Sequence, residues 1–236
     1  MLFRSVAVCS TGDELMMPGQ PLRPGAIYNS NRFTLRALLQ AGGCVPEDFG
    51  IIPDRLDATR ETLRRAAESH DLIITTGGVS VGEEDHLKPA VLAEGTLEQW
   101  QMAIKPGRPS AFGTVRRSDG SSALIMGLPG NPVSSMVSFE LLARPALRKM
   151  MGHKRDLVRP TVTALADAPL RRKPDGKVHF MRVFAQFGAD GRVHVRDTGP
   201  QGSHQLAATA MANALAVVPD GAGCDAGDTI EVMLLD

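Results

Sequence analysis

The segment Asp71-Leu72-Ile73-Ile74-Thr75-Thr76-Gly77-Gly78 constrains this chain more than any other. Its apolar run is of the kind that forms a parallel strand buried on both faces. The run enters a glycine turn and continues as Val79-Ser80-Val81-Gly82-Glu83-Glu84-Asp85-His86-Leu87-Lys88, where a helix is expected. A strand that turns straight into a helix leaves free backbone N–H groups at the helix start. With the hydroxyls of Thr75, Thr76 and Ser80, those groups suit an anionic or phosphorylated ligand. The carboxylates just beyond would lie where a divalent cation bridging that ligand needs oxygen donors. A glycine turn can also be purely structural. The long ordered run of Gly, Ser and carboxylate favours a ligand site.

The surrounding sequence alternates strand and helix patterns. Ser5–Thr11 reads as an apolar strand, and Asn31–Ala41 carries Leu35, Leu38 and Leu39 at helical spacing. Asp48–Ile52 reads as a strand, after which Asp57 can cap a helix presenting Leu63, Ala66 and Ala67. Beyond Thr76 come a helix near Glu84–Ala93 and strands around Gln99–Ile104, Ser110–Val115 and Ala123–Gly127. Asn131-Pro132 marks a helix start, a capping side chain followed by Pro at the first helical position. That helix runs through Val133, Met136, Val137 and Glu140 toward Met150. The alternation predicts an α/β fold, a three-layer mostly parallel sheet with helices on both faces. Ligands of such sheets bind beyond the carboxyl ends of the strands.

The pattern changes in the short polar stretch Gly152–Arg159, which places a domain boundary between residues 153 and 154. Met181, Val183, Ala185 and Phe187 then alternate with differently facing residues, and Gly188-Ala189-Asp190-Gly191 is a hairpin turn into Val193 and Val195. Ala214–Val218 and Thr229–Leu234 supply further strands. Residues 154–236 therefore read as a small all-β, barrel-like domain following the α/β domain of residues 1–153.

A chain of 236 residues has room for both. Aromatics make up only 4% of it against 43% hydrophobic residues, so the cores must be mainly aliphatic. Lys+Arg and Asp+Glu each total 26, leaving no global field to recruit nucleic acid or a membrane. Cys9, Cys44 and Cys224 are dispersed, with no metal spacing, and fit buried thiols in a reducing cytosol. No apolar stretch approaches the ~18 residues of a membrane span, and Met1–Arg4 leads almost directly into a strand. Neither a signal peptide nor a membrane span is expected, and the expected location is cytoplasmic.

Lys105 and Arg108 flank Pro106 and Gly107 in a turn after a strand. Two cations held by so rigid a loop suit a phosphate, a pyrophosphate or a tetrahedral oxyanion; the alternative is a solvated basic loop. Asp13, Glu14, Asp54 and Asp85 lie at or just after strand ends, where they could converge on Mg²⁺, or each could be a helix cap or surface charge. Leu128-Pro129-Gly130-Asn131-Pro132-Val133-Ser134 is either a second anion-receptive helix start or simply a well-capped helix. The six histidines show no metal spacing, and Ser80 with His86 makes no convincing nucleophile–base pair.

Taken in order, Ser10-Thr11-Gly12-Asp13-Glu14-Leu15, Ile27-Tyr28-Asn29-Ser30-Asn31-Arg32, Gly50-Ile51-Ile52-Pro53-Asp54, the Thr75–Lys88 run, Ile104-Lys105-Pro106-Gly107-Arg108-Pro109 and Gly127–Ser134 form a specific series. The series resembles the molybdopterin-binding fold of molybdopterin molybdenumtransferases, the MoeA/gephyrin E-domain family, from about Ser5 to the end of the chain. Molybdopterin adenylyltransferases and the competence-damage proteins share the Thr-x-Gly-Gly turn but usually lack Val-Ser-Val-Gly and Lys-Pro-Gly-Arg-Pro. The resemblance implies insertion of molybdate into adenylylated molybdopterin, with Mg²⁺-dependent cleavage of the adenylate and release of AMP.

It further implies roles for particular residues. Glu14, Asp54 and Asp85 would be the cleft carboxylates that hold Mg²⁺, and Asp54, Asp85 and Lys105 the catalytic groups. Thr75, Thr76, Gly77, Gly78, Ser80 and Arg108 would surround the cofactor, with Pro129, Gly130, Asn131, Pro132 and Ser134 on its other side. Gly202-Ser203-His204 resembles a motif that brings a hydroxyl, here that of Ser203, to the cleft; Ser203 could equally be a turn residue. Gln101 stands where the family commonly has a cation. Family members act as homodimers, with a molybdopterin adenylyltransferase as a possible partner, and carry further domains ahead of the Ser10–Leu15 motif. The implied behaviour of these 236 residues is binding with little turnover. A binding-only molybdopterin module and a molybdopterin adenylyltransferase are the alternatives, and the β-rich C-terminal region speaks against the second.

Overall fold

The structure, a computed structural model, describes residues 3–79 and 86–235. Strand β1 (Ser5–Thr11) is buried on both faces: Val6 and Val8 point into one layer, Ala7 and Cys9 into the other. The short strands β2 (Leu15–Met16) and β3 (Ile27–Tyr28) pair in parallel and lead into helix α1 (Asn31–Ala41). Next come β4 (Val45–Ile52), α2 (Leu56–Ser69), β5 (Leu72–Thr76) and α3 (Leu87–Glu94). They are followed by β6 (Gly95–Gln101), β7 (Ile104–Lys105), β8 (Pro109–Arg116) and β9 (Ser122–Leu128). The sheet order is β4-β1-β5-β9-β8-β6, with the first four strands parallel and the last two antiparallel additions.

Helices cover both faces, as the strand–helix alternation predicts. Helices α2 and α3 pack Leu63, Ala66, Leu87 and Ala90 on one side. On the other lie α1, with Leu35 and Leu39, and a helical path made of α4 (Pro132–Ser138), a π-turn over Phe139–Ala143, and α5 (Arg144–Met150). Each fully buried leucine on these faces contributes about 1.5–3 kcal/mol of transfer free energy.

The segment between α5 and β10 (Thr161–Ala166), where the sequence changes pattern, holds no helix or strand. After β10 come β11 (Leu170–Arg171), β12 (Val178–Phe187), β13 (Val193–Asp197), the short helix α6 (Leu206–Ala210), β14 (Ala214–Val218), β15 (Gly223–Cys224) and β16 (Thr229–Leu234). Strands β13-β10-β16-β14-β12 pair in that order, and β12 closes back on β13. This is a closed five-stranded barrel with an aliphatic interior that includes Val183, Val195, Ala216 and Val232. Closure leaves no free edge among these five strands. Val133, Met136 and Val137 of α4 pack on Phe180, Leu215 and Met233 of the barrel, which fixes the two parts against each other.

Several local expectations need correction. The strand read over Gln99–Ile104 is two: β6 ends at Gln101 opposite Pro109, which has no N–H to extend the ladder. The chain then leaves the sheet, and β7 pairs in parallel with barrel strand β12 through Ile104↔Val178 and Lys105↔His179. Asp57 does not cap α2; the cap position is Arg55, in extended conformation, and Asp57 lies in the first turn. Its charge there still complements the helix N-terminus. Phe187, the last residue of β12, is 81% exposed although it still pairs with Val193 of β13.

Candidate functional site

The carboxyl ends of the parallel strands open into a cleft of about 1420 Å³ between the α/β sheet and the barrel. Its shape comes from glycine. Gly77 (φ +87°) and Gly78 (φ +69°) carry β5 into the cleft in a conformation that side chains rarely adopt. A Cβ on Gly77 would stand 2.7 Å from the Thr11 hydroxyl and 2.9 Å from its carbonyl oxygen, so the loop closes directly over β1. The Gly77 N–H donates to the Leu128 carbonyl (3.1 Å), and Gly130 faces Gly77 backbone to backbone. Gly107 packs in the same way on the Ser138 hydroxyl of α4.

Three loops expected from the sequence meet here. Thr76, Gly77 and Gly78 line the cleft, as do Lys105 and Arg108, and Pro129, Gly130, Asn131, Pro132 and Ser134. Thr75 does not line it: it is fully buried within the sheet, and its hydroxyl has no partner among the described residues. The Asn131 side chain makes no capping bond; it lines the cleft instead, while its carbonyl accepts from the Ser135 N–H (2.8 Å). One N–H of that helix start is already used, because Val133 donates to the Ser203 carbonyl of the barrel (3.0 Å). Ser203 is thus a turn residue that also lines the cleft. Ser80 and Asp85 lie outside the described residues.

The carboxylates divide. Glu14 lines the cleft, folded over Gly12. Asp54 and Asp13 instead accept each other's backbone N–H, at 3.0 and 3.2 Å, and neither lines the cleft. Among the described residues no group of three potential ligands comes together that could hold a metal ion. These donors alone do not make an Mg²⁺ site. Gln101 is exposed at the end of β6 and also lies off the cleft.

Sequence reasoning missed most of the barrel's share. The loop Arg171-Arg172-Lys173-Pro174-Asp175-Gly176-Lys177 borders the cleft beside the Lys105 loop, with Asp175 3.9 Å from Lys105. The signal was there to read, four cations within seven residues around a Pro-Asp-Gly turn. Among the described residues, Lys105, Arg108, Arg171, Arg172, Lys173 and Lys177 line the cleft with two carboxylates, Glu14 and Asp175. A chain of zero formal net charge gathers six cations among the described residues of this cleft.

Arg172 holds that loop in shape. Its side chain is 1% exposed and donates to Asp175 and Asp220 (2.7 Å each) and to the carbonyls of Lys177, Val218 and Pro219. Asp175 gathers Arg172, Lys177 (3.4 Å), Lys105 (3.9 Å) and His179 (3.1 Å). Burial alone would raise the Asp175 pKa; the His179 hydrogen bond and the Lys177 charge outweigh it and hold the carboxyl below its usual range. His179 is also lowered, first by burial and then by the Arg172 charge, against the opposing pull of Asp175. His179 Nε2 lies 3.1 Å from the Asp175 carboxylate, within hydrogen-bond distance. Asn29 and Asn31, both buried, line the opposite wall. Asn31 donates to the Gly130 carbonyl (2.7 Å), while Asn29 Nδ2 and Asn31 Oδ1 lack partners among the described residues.

A parallel sheet whose glycine loops face the basic loop of a barrel defines a two-part α/β and β-barrel protein with an anion-receptive cleft. Residues 7–149 match the family model described as "Probable molybdopterin binding domain", and residues 164–235 match "MoeA C-terminal region (domain IV)". The chain belongs to the molybdopterin-binding domain family, here joined to a MoeA C-terminal region. It is 39% identical over 228 residues to a molybdopterin molybdenumtransferase of Haemophilus influenzae, covering 96% of this chain and 55% of that protein. It is 38% identical over 221 residues to molybdopterin molybdenumtransferase 2 of Mycobacterium tuberculosis, covering 91% of this chain and 52% of the relative. The chain thus spans about half the length of these curated relatives. The crystal structure of a molybdopterin biosynthesis MoeA protein from a Pyrococcus species has the same fold, with a TM-score of 0.78 at 24% identity over 99% of this chain and 55% of that one.

Proposed function

We propose that this chain supplies the substrate cleft for insertion of molybdate into adenylylated molybdopterin, the reaction that releases AMP and molybdenum cofactor. The observation that carries the reading is the cleft itself, where glycine loops from three strand ends face six Lys and Arg side chains. Its volume of about 1420 Å³ leaves room for a pterin joined to a nucleotide. The Gly77–Gly78 backbone and Asn29 and Asn31 orient the organic part by hydrogen bonds. Lys105 and Arg108, together with the 171–177 loop beside them, neutralise the pyrophosphate or the oxyanion. Catalysis in this reading is positional and electrostatic, since the dithiolene sulfurs of the substrate bind the molybdenum themselves.

Mg²⁺ belongs to the reading as a counter-ion of the ligand phosphates, with Glu14, Asp54 and Asp85 as oxygen donors. Of these, Glu14 is the one that stands in the cleft among the described residues. A homo-oligomer, a molybdopterin adenylyltransferase partner and a cytoplasmic setting complete the proposal. No helix among the described residues is long and apolar enough to cross a membrane, which is consistent with it. The match of residues 164–235 to a MoeA C-terminal region favours this reading over adenylyl transfer. Calorimetric titration of the chain with adenylylated molybdopterin is the test. Saturable 1:1 binding that weakens with added salt is expected. A folded protein that gives no binding heat and no competition by AMP would reject the proposal.

A further inference from the structure

A second cavity, of about 540 Å³, lies away from the cleft between α1, the helical path Pro132–Met150 and the C-terminal side of the barrel. Its walls carry two kinds of chemistry. Leu38, Leu39, Phe139, Leu147 and Leu235 form an apolar floor. Arg144, Arg148 and Arg159 line it together with one carboxylate, that of Glu140. Glu140 is already satisfied: its side chain is 1% exposed, and Arg159 grips both oxygens at 2.9 and 3.2 Å.

Arg144 makes only a long ion pair with that carboxylate. Its Nε stands 3.8 Å from Glu140, beyond hydrogen-bond distance, and its Nη1 donates to the Leu157 carbonyl at 3.2 Å. Arg148 donates to the Asp156 carbonyl and lies 3.4 Å from His153 Nδ1, so neither arginine has a carboxylate of its own in this cavity. Burial, then the charge of Arg159, lowers the Arg144 pKa, while Glu140 opposes and Arg148 adds to the lowering. Three guanidinium groups around one carboxylate leave a surplus of positive charge in a half-enclosed place. Thr209 adds a hydroxyl to the same wall, buried at its Oγ1 and without a hydrogen-bond partner among the described residues. Finally, the π-turn Phe139–Ala143 sits on this cavity and supplies Phe139 and Glu140 to it. Single π-turns within helices recur at functional sites.

We propose that this cavity is a second ligand site, for a small organic acid whose carboxylate pairs with Arg144 and Arg148. The Thr209 hydroxyl donates to the same head group, and a short apolar tail lies on the leucine floor. The charge surplus selects the acid over a neutral molecule of the same shape, because three guanidinium groups that share one carboxylate gain from a second anion. The 540 Å³ volume falls within the range of small-molecule pockets and is far smaller than the cleft.

The test is calorimetry of the 236-residue chain with hexanoate, and with hexan-1-ol as its uncharged counterpart. One saturable hexanoate site is expected, with hexanol at least tenfold weaker. Arg144→Gln should weaken hexanoate about tenfold or more, the worth of one charge-assisted hydrogen bond. Thr209→Val, which keeps the side-chain shape, should weaken it several-fold with folding unchanged by circular dichroism. Lys105→Ala, which alters the cleft, should leave it unchanged. Absence of saturable binding to folded protein, equal binding of hexanol, or loss of binding only in Lys105→Ala would each overturn the assignment.

Discussion

The two walls of the cleft are built on different principles. The α/β wall is shaped by backbone: Gly77, Gly107 and Gly130 let loops approach within contact distance of one another and of β1 and α4. The barrel wall is shaped by charge: Arg172, almost fully buried, ties Asp175, Asp220 and three carbonyls into one loop that presents Lys173 and Lys177. A glycine wall fixes where a ligand backbone can lie. A charged wall fixes which ligand is worth binding. Strand β7 joins the two, since Lys105 belongs to a loop of the first domain yet pairs with β12 of the second.

Removing the organiser of the charged wall should have the largest effect. Arg172→Ala would strip several charged hydrogen bonds from a buried site, and a loss of about 3 kcal/mol in urea unfolding is expected, near the upper end for single changes. A loss below about 1 kcal/mol would mean that the loop holds itself without Arg172. On the other wall, Gly77→Ala forces a side chain into φ +87° with its Cβ 2.9 Å from the Thr11 carbonyl oxygen. A cost of about 2 kcal/mol is expected from strain of this kind, together with weakened ligand binding. Wild-type affinity in that variant would show that the loop can move aside freely.

Lys105→Ala separates affinity from stability. Lys105 is 61% exposed, and its ion pair with Asp175 is long at 3.9 Å, so folding should hardly change. Affinity for adenylylated molybdopterin should fall by about 1–3 kcal/mol, the worth of a charged hydrogen bond. Unchanged affinity would remove Lys105 from the site.

The smallest effect expected is one of pH. The Asp175 carboxyl is lowered in the folded protein, so its contribution is present above the ordinary carboxylate range and is lost as pH falls through the lowered value. Asp175→Asn should therefore flatten the acid limb of a stability–pH curve and leave the neutral region's slope alone. An acid limb identical to wild type would show that Asp175 does not sense its cations.

The glycine wall was legible in the sequence because its signals are local. Thr76-Gly77-Gly78, Lys105-Pro106-Gly107 and Pro129-Gly130-Asn131 each announce a strand end and a turn within a few residues, and the sheet rule brings strand ends together. The cations of the charged wall stand together in the sequence, but their place in the cleft was not legible there, because it depends on how the barrel docks. Docking rests on Val133, Met136 and Val137 against Phe180, Leu215 and Met233, contacts that no periodicity reveals. Ser203 was found through a motif, yet its observed bond is made by its carbonyl to Val133 N–H, which a side-chain reading does not anticipate. Thr75 shows the limit on the other side. Strand alternation turns neighbouring residues to opposite faces, so Thr76 could reach the cleft while Thr75 could not.

The central claim is that both walls grip one ligand. Titrating adenylylated molybdopterin into the Lys173→Ala/Lys177→Ala double variant tests it most directly, because both changes lie on the barrel and far in sequence from every glycine loop. Affinity should fall at least as much as in Lys105→Ala, with a shallower dependence on salt, since fewer cations then meet the ligand's charge. Wild-type affinity and an unchanged salt dependence would contradict the account and leave the glycine wall as the whole of the site.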